Sequence, residues 1–364
     1  MSRDYSSFLP QAETRRGPDP HMSALAALGW KPFFAQQTSV DDLAEMPPAR
    51  IIEVRRNALH VLGDGIDTFI PPRSDATVGD WVLLDRAQPQ ASRLLDRKSL
   101  IKRRAPGTDR QVQLIAANID TAFIVSSCNQ DFKLARLERY IALALEADIT
   151  PVVVLTKVDL TRDAQSYVDK AASISHLASV VTLDARGEEP GEKLAEWCKP
   201  GHTVAFLGSS GVGKSTLTNA LSGTQAIATQ AIREDDAKGR HTTTRRQLHQ
   251  VLGGCLVLDT PGMRELQLTE AESGIEDVFA DIVGLARQCR FNDCRHESEP
   301  GCAVQEAIEA GDLDPMRLAR WRKLSAEDAF NSASLAERRS KDKAFGKMVR
   351  RITKDHDKRR RPRG

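Results

Sequence analysis

Nowhere in these 364 residues is there an apolar run approaching the roughly 18 to 20 residues that a membrane-spanning helix needs. The N-terminus, MSRDYSSFLPQAETRRG, also lacks the apolar core of a secretory signal, so the expected location is the cytoplasm, with no membrane partner. In that compartment six cysteines are expected as thiols or metal ligands rather than bridges. Aromatic residues are scarce at 5%, which leaves little material for stacking on nucleic-acid bases. Net charge is nearly absent too, but its distribution is uneven. Residues 337–364 carry 13 Lys/Arg against 4 Asp/Glu, a net +9 that leaves residues 1–336 at −7 within a total of +2. Such a basic tail is either a solvated, disordered end or a contact for nucleic acid, where each neutralised phosphate releases counterions.

The length exceeds the roughly 250 to 300 residues at which single cores stop growing, so several domains are expected. Residues 1–47 hold Pro-, Gln- and Ser-rich stretches around one apolar island, LGWKPFF, and are expected to form an arm that docks only locally. Over residues 48–108, short apolar runs (IIEV, ALHVLG, DTFI, DWVLLD, SLIKR) alternate with turn residues, which predicts a small β-barrel or sandwich. Over residues 109–272 the pattern changes to strands alternating with helices: DTAFIVSS, then Leu134, Leu137, Ile141 and Leu145 at helical spacing, then the buried-strand run PVVVLT. SVVTLDA, a helix ending near Cys198, HTVAFLG, a helix from Lys214 and a hairpin-like pair RQLHQVLGG/CLVLDTPG complete a doubly wound α/β domain. Its ligand is expected at the carboxyl ends of the strands. Residues 273–336 offer helical patterns and a cysteine cluster, followed by the tail at 337–364.

The segment Gly208-Ser209-Ser210-Gly211-Val212-Gly213-Lys214-Ser215-Thr216 matches the whole P-loop pattern, directly between an apolar strand and a helical segment. In such a loop glycines let backbone N–H groups close on phosphates and the helix N-terminus adds partial positive charge. Lys214 reaches the β- and γ-phosphates, and the Ser215 hydroxyl binds Mg²⁺. Downstream, Asp259-Thr-Pro-Gly262 follows the strand CLVL; Asp259 suits Mg²⁺ and the Gly262 N–H suits the γ-phosphate.

The base reader lies upstream. Thr156-Lys157-Val158-Asp159 ends the PVVVL strand as an [NT]KxD guanine motif does, with Asp159 able to accept from N1–H and the 2-amino group of guanine. Adenine offers no such pair of donors, and sites built around a required hydrogen bond reject the wrong partner by roughly 10⁴ to 10⁵. GTP/GDP is therefore expected over ATP. In common GTPases the phosphate loop comes first; here the guanine reader precedes it, so the domain is circularly permuted, which surface termini lying close together make physically cheap.

Cys289-x4-Cys294-x-His296-x5-Cys302 places three thiolates and an imidazole within 14 residues, a set that suits one tetrahedral, closed, structural Zn²⁺. Cys128, Cys198 and Cys255 are isolated and expected in the core.

Together, TKVD, GSSGVGKS, GRHTTT, DTPG and CRFNDCRHESEPGCAV, spread over about residues 48–330, resemble the circularly permuted, ribosome small-subunit-dependent GTPases of the RsgA/YjeQ type. The resemblance implies an N-terminal OB-fold, a permuted P-loop GTPase domain and a C-terminal helical zinc domain. It also implies GTP hydrolysis stimulated by the small (30S) subunit during that subunit's late maturation, with the subunit and its rRNA as partners and the protein itself a monomer. The alternative from the residues alone is an rRNA-binding module whose GTP is mainly a structural or switch ligand. Asp184-Ala185-Arg186 stands where many GTPases have Ser-Ala; the Ala185 N–H can still serve the guanine carbonyl, whereas the turn contact of the serine has no evident replacement. Met263 follows the DxxG glycine, and a thioether cannot align an attacking water. His241 is the candidate to do so, with Thr243 the candidate second hydroxyl on Mg²⁺; the alternative is that His241 is an ordinary loop imidazole.

Overall fold

A computed structural model describes residues 22–104, 112–222, 246–251, 253–259, 268 and 270–332. The first described elements are three short helices, α1 (Ala24–Ala27), α2 (Pro32–Ala35) and α3 (Val40–Glu45), the last opened by a capping box between Ser39 and Asp42. They dock through an aromatic cluster: the Trp30 ring lies 4.8 Å from Trp81 and 5.8 Å from Phe34, with Phe34 and Trp81 buried.

This arm does more than dock locally. The fully buried Arg50 donates from Nη1 to the Leu28 carbonyl of the arm (2.6 Å), from Nε to Gly79 (3.2 Å) and from Nη2 to Asn118 (3.1 Å). Burial pushes this guanidinium down to about 10, still charged at neutral pH. Lys31 of the arm pairs with Asp120, whose other oxygen accepts from the Thr203 N–H at 3.0 Å. Short apolar islands thus anchor where buried charge can bridge elements distant in sequence, which local patterning does not reveal.

The β-rich part comprises β1 (Pro48–Val54), β2 (Leu59–Gly63), β3 (Ile66–Ile70), β4 (Trp81–Leu83), β5 (Arg93–Leu94), β6 (Leu100–Arg104) and β7 (Val112–Ala117). β1 lies between β2 and β4, a bulge at Ile51/Glu53 bends it, and β4 leads on to β5, while β6 and β7 form a separate antiparallel pair. Alternate residues Ala49, Ile51, Leu59, Val61, Ile66 and Val82 face inward as one core.

The α/β part holds β8 (Thr121–Ser127), α4 (Leu134–Glu146), β9 (Thr150–Thr156), α5 (Ala164–Ala172), β10 (Ser179–Thr182), α6 (Glu189–Lys193), β11 (Thr203–Leu207), α7 (Lys214–Ser222), β12 (Arg246–Gln250) and β13 (Leu256–Asp259). Spatially the strands run β10-β9-β8-β11-β13-β12; all neighbours are parallel except the β12/β13 pair, as its hairpin-like sequence predicts. β12 also pairs antiparallel with β1 through Glu53↔Gln247 and Val54↔Arg246, so one sheet runs from the β-rich part into the α/β part. Consecutive strands β10 and β11 are separated in space by β9 and β8, which is where the permuted chain returns from the sheet edge to its centre. The connecting helix is shorter than the sequence suggests: α6 stops at Lys193 rather than near Cys198.

β8 and the Pro151–Thr156 part of β9 are buried on both faces, which is why they read as continuous apolar runs. α4 buries Leu137, Tyr140, Ile141 and Ala144 at helical spacing, with Leu134 and Leu145 at its margins. Each aliphatic side chain so buried contributes about 1.5 to 3 kcal/mol.

Past the sheet come α8 (Glu272–Val278), α9 (Ala280–Ala286), α10 (Ala303–Ala310) and the long α11 (Pro315–Ser332). α8 crosses α4 closely at Gly274, where a Cβ would stand 2.1 Å from the Ala142 carbonyl oxygen, so only glycine fits. One buried cluster extends from Ile52 and Val78 through the sheet to Val304, Leu318 and Leu324. Cys128 and Cys255 are buried and Cys198 packs beside the second core, as expected of small apolar residues. Among the described residues no helix is long and apolar enough to cross a membrane.

Candidate functional site

Strand β11 enters the sheet's centre and ends at Gly208, where the chain turns at positive φ (141°) and a Cβ would stand 2.4 Å from the Val125 carbonyl oxygen. Gly211 and Gly213 also take positive φ, and between them Val212 inserts its side chain into the core, which pins the loop from below. Lys214 opens α7 and folds over its own loop, donating to the carbonyls of Gly208 (2.8 Å) and Ser209. Those acceptors hold the ammonium at the centre of the loop. Ser215 is exposed and Thr216 half-buried in the first turn of α7, and Ser210 is exposed at the loop tip. Arg136 of α4, which sequence reasoning did not single out, donates from Nη1 to the Ser209 hydroxyl at 2.9 Å.

The guanine motif meets this loop directly. Thr156 at the end of β9 donates its hydroxyl to the Val212 carbonyl at 2.7 Å, with the Ser126 carbonyl at 3.3 Å. Two motifs 56 residues apart are therefore bonded to each other. Lys157 takes the left-handed conformation (φ 57°), and the tight turn Val158–Leu160 then directs Asp159 outward. A cavity of about 240 Å³ lies between the two motifs, lined on one side by Thr156, Lys157, Asp159 and Leu160 and on the other by Gly211, Val212, Gly213 and Thr216. Asp184, Ala185 and Arg186 close its third side.

That third side resolves the missing serine. The Asp184 carboxylate itself accepts from the Arg186 N–H at 3.0 Å, an Asx-type turn contact of the kind a serine makes more weakly. Glu189 in turn accepts from the Asp184 N–H at 2.9 Å. Arg186 also donates from its side chain to both Asp184 oxygens (Nε 3.1 Å, Nη2 3.2 Å), which holds the Asp184 carboxyl below its ordinary value and raises the Arg186 guanidinium above its own. Ala185 is buried against this turn beside Gly213.

Asp259 ends β13 in register with Gln247 of β12, next to β11. Gly262, His241 and Thr243 lie outside the described residues, as do Met263 and the basic tail.

Farther along the chain, Cys289, Cys294, His296 and Cys302 come together with their ligand atoms all within 4.8 Å of one another. Tetrahedral Zn–S and Zn–N bond lengths imply S···S edges of about 3.8 Å and S···N edges of about 3.6 Å. The cluster has Cys289 Sγ to Cys302 Sγ at 3.9 Å and His296 Nδ1 at 3.5 Å from both sulfurs. The donor set and its spacing fit a zinc ion coordinated through Nδ1. His296 reaches inward because its backbone is left-handed (φ 58°), and Arg322 of α11 donates to its carbonyl at 2.7 Å. Burial, then the nearby Arg322 charge, lowers the imidazole below its ordinary value, favouring the neutral form that ligates. Glu299 organises the intervening turn by accepting the N–H groups of Arg295 (2.9 Å), Glu297 (2.8 Å) and Ser298 (3.1 Å).

Known proteins share this arrangement. A family model described as RsgA GTPase matches residues 94–269. A small ribosomal subunit biogenesis GTPase RsgA 2 of Vibrio parahaemolyticus is 48% identical over 338 residues, 92% of this chain and 94% of the relative. The small ribosomal subunit biogenesis GTPase RsgA of Mesorhizobium japonicum is 49% identical over 336 residues, 90% of this chain and 96% of the relative. Among solved structures, YjeQ from Thermotoga maritima has a TM-score of 0.54 at 25% identity, covering 76% of this chain and 96% of that one. YloQ, described as a circularly permuted GTPase, has a TM-score of 0.54 at 25% identity, covering 79% and 97%.

Proposed function

The chain belongs to the RsgA family of circularly permuted GTPases and is a GTP hydrolase, and from that premise we propose that it acts on the small ribosomal subunit during its late maturation, with turnover stimulated by that subunit. The observation that carries the reading is the Thr156–Val212 hydrogen bond, which joins the guanine motif to the phosphate loop around one cavity of nucleotide-base size. The name carried by relatives at nearly half identity over most of the chain supports the choice of partner.

In this reading Asp159 accepts the donor edge of guanine, the Ala185 N–H meets its carbonyl, and the amides from Ser209 to Thr216 enclose the phosphates with Lys214 between them. The Ser215 hydroxyl and Asp259, with Thr243 as a further ligand, would hold a Mg²⁺ ion, which would supply charge neutralisation to the phosphates. Water adds to the γ-phosphorus, the bond to the β–γ bridging oxygen breaks, and GDP leaves with the pair of electrons. His241 orients that water, and the Gly262 N–H meets the γ-phosphate. Because Met263 cannot align the attacking water, unaided hydrolysis is slow and the rRNA supplies the missing positioning.

The Cys289/Cys294/His296/Cys302 set would hold one zinc ion in a structural role, supplying a cross-link between the turn and its helices. The OB-type barrel of residues 48–108, the zinc region and the basic tail form the rRNA-facing surfaces of a monomer, tracking phosphates by charge. Turnover measured with and without purified small subunits tests the reading. The expected result is stimulation of at least tenfold; equal rates would favour an rRNA-binding module in which GTP is a structural ligand.

A further inference from the structure

The base side of the cavity already has an occupant. Arg186 donates from Nη2 to Asp159 Oδ2 at 2.7 Å, the oxygen that one of guanine's two donors would need. The guanidinium N–H places a charged donor on the oxygen that a guanine donor would need, so the two compete for one acceptor. It is also leashed: Nε and Nη2 remain on Asp184 at 3.1 and 3.2 Å, so the side chain can leave Asp159 without losing its own charge partner. Most of it is in water, at 69% side-chain exposure, so it does not support the core.

Resting on the GTP reading above, we propose that Arg186 is an affinity-setting residue that occupies Asp159 in the nucleotide-free protein and that guanine must displace. Its contact competes with guanine for Asp159 Oδ2, because donors sharing one carboxylate oxygen divide its lone pairs and its charge. Binding therefore costs the Asp159–Arg186 pair while retaining the Arg186–Asp184 pair. Exposed ion pairs are weak, so the expected penalty on guanine-nucleotide affinity is small, about twofold to fivefold. A competitor of this kind lowers affinity for GTP and GDP alike by slowing their association.

The test compares the full-length parent with Arg186→Ala and Arg186→Lys, using stopped-flow binding of a fluorescent GDP derivative over a range of salt concentrations. The expected result is that Arg186→Ala binds about twofold to fivefold more tightly, through faster association, with Arg186→Lys between it and the parent. The ratio between parent and Arg186→Ala should shrink as salt screens the ion pair, which a role in merely shaping the loop would not produce. Unchanged or weaker binding by Arg186→Ala would overturn the proposal. Failure of the parent to bind GDP at all would instead sink the GTP reading on which it rests.

Discussion

Asp159 stands at the mouth of the cavity with 35% of its side chain in water, so the carboxylate is not buried before the base arrives. The penalty against adenine arises only once a purine covers it, when an unmatched acceptor can no longer turn to solvent. Charge-assisted hydrogen bonds contribute about 1.5 to 3 kcal/mol, so Asp159→Asn should weaken GDP by about 10- to 150-fold and leave ADP unchanged, as read by calorimetry. Equal losses for both nucleotides would assign Asp159 a structural role instead. At this scale the sequence was informative wherever chemistry demands a fixed spacing: the TKVD segment and the glycine-rich loop lie against each other, with Thr156, Asp159 and Val212 lining one cavity. Arg136 and Arg186 were not legible as site residues. Each acts through a contact with a residue 73 and 27 positions away, and an arginine in a polar loop or on a helix carries no local signal of that kind.

Among the elements, the zinc segment was the most readable, because four soft ligands within 14 residues leave few other uses in a chain without disulfides. The helices that hold it were less so. α11 is mostly polar along its length, yet it carries Arg320, which donates to both oxygens of the buried Glu138 at 2.9 and 3.0 Å, 182 residues away. Arg317 stands 3.7 Å from the same carboxylate and donates to Asp281 on α9. Such polar bolts between distant helices leave no hydrophobic period to find. Since structural zinc supplies folding free energy of order 10 kcal/mol, Cys302→Ser should lose the one zinc per chain and expose the 289–302 segment to protease. Guanine-nucleotide binding should persist, because none of the cavity's lining residues touches the cluster. Full zinc retention after that change would refute the assigned ligand set.

Over the whole molecule the permutation decides what the nucleotide can move. The chain leaves the sheet at Asp259, and farther along in sequence α11 grips Leu268, Glu270 and Ala271: Asn331 donates to the Leu268 carbonyl at 2.8 Å, Asp328 accepts from the Ala271 N–H at 3.0 Å and Ser332 from the Glu270 N–H at 2.8 Å. α4 closes the circuit, with Arg136 on the phosphate loop at one end and Glu138 and Arg139 on α11 along its side. On the opposite flank β12, which follows His241 in sequence, pairs with β1 of the β-rich part. The Gly208–Thr216 loop, the Cys/His region and the β-rich part thus share continuous contacts, and on the proposed function loss of the γ-phosphate would loosen them together. The order of motifs was legible from the sequence; this mechanical continuity was not, since it rests on side-chain pairs between segments far apart. The most direct measurement is the affinity of the full-length protein for purified small subunits with GDP and with a non-hydrolysable GTP analogue. Binding at least tenfold tighter with the analogue is the expected result, and equal affinity in the two states would contradict it.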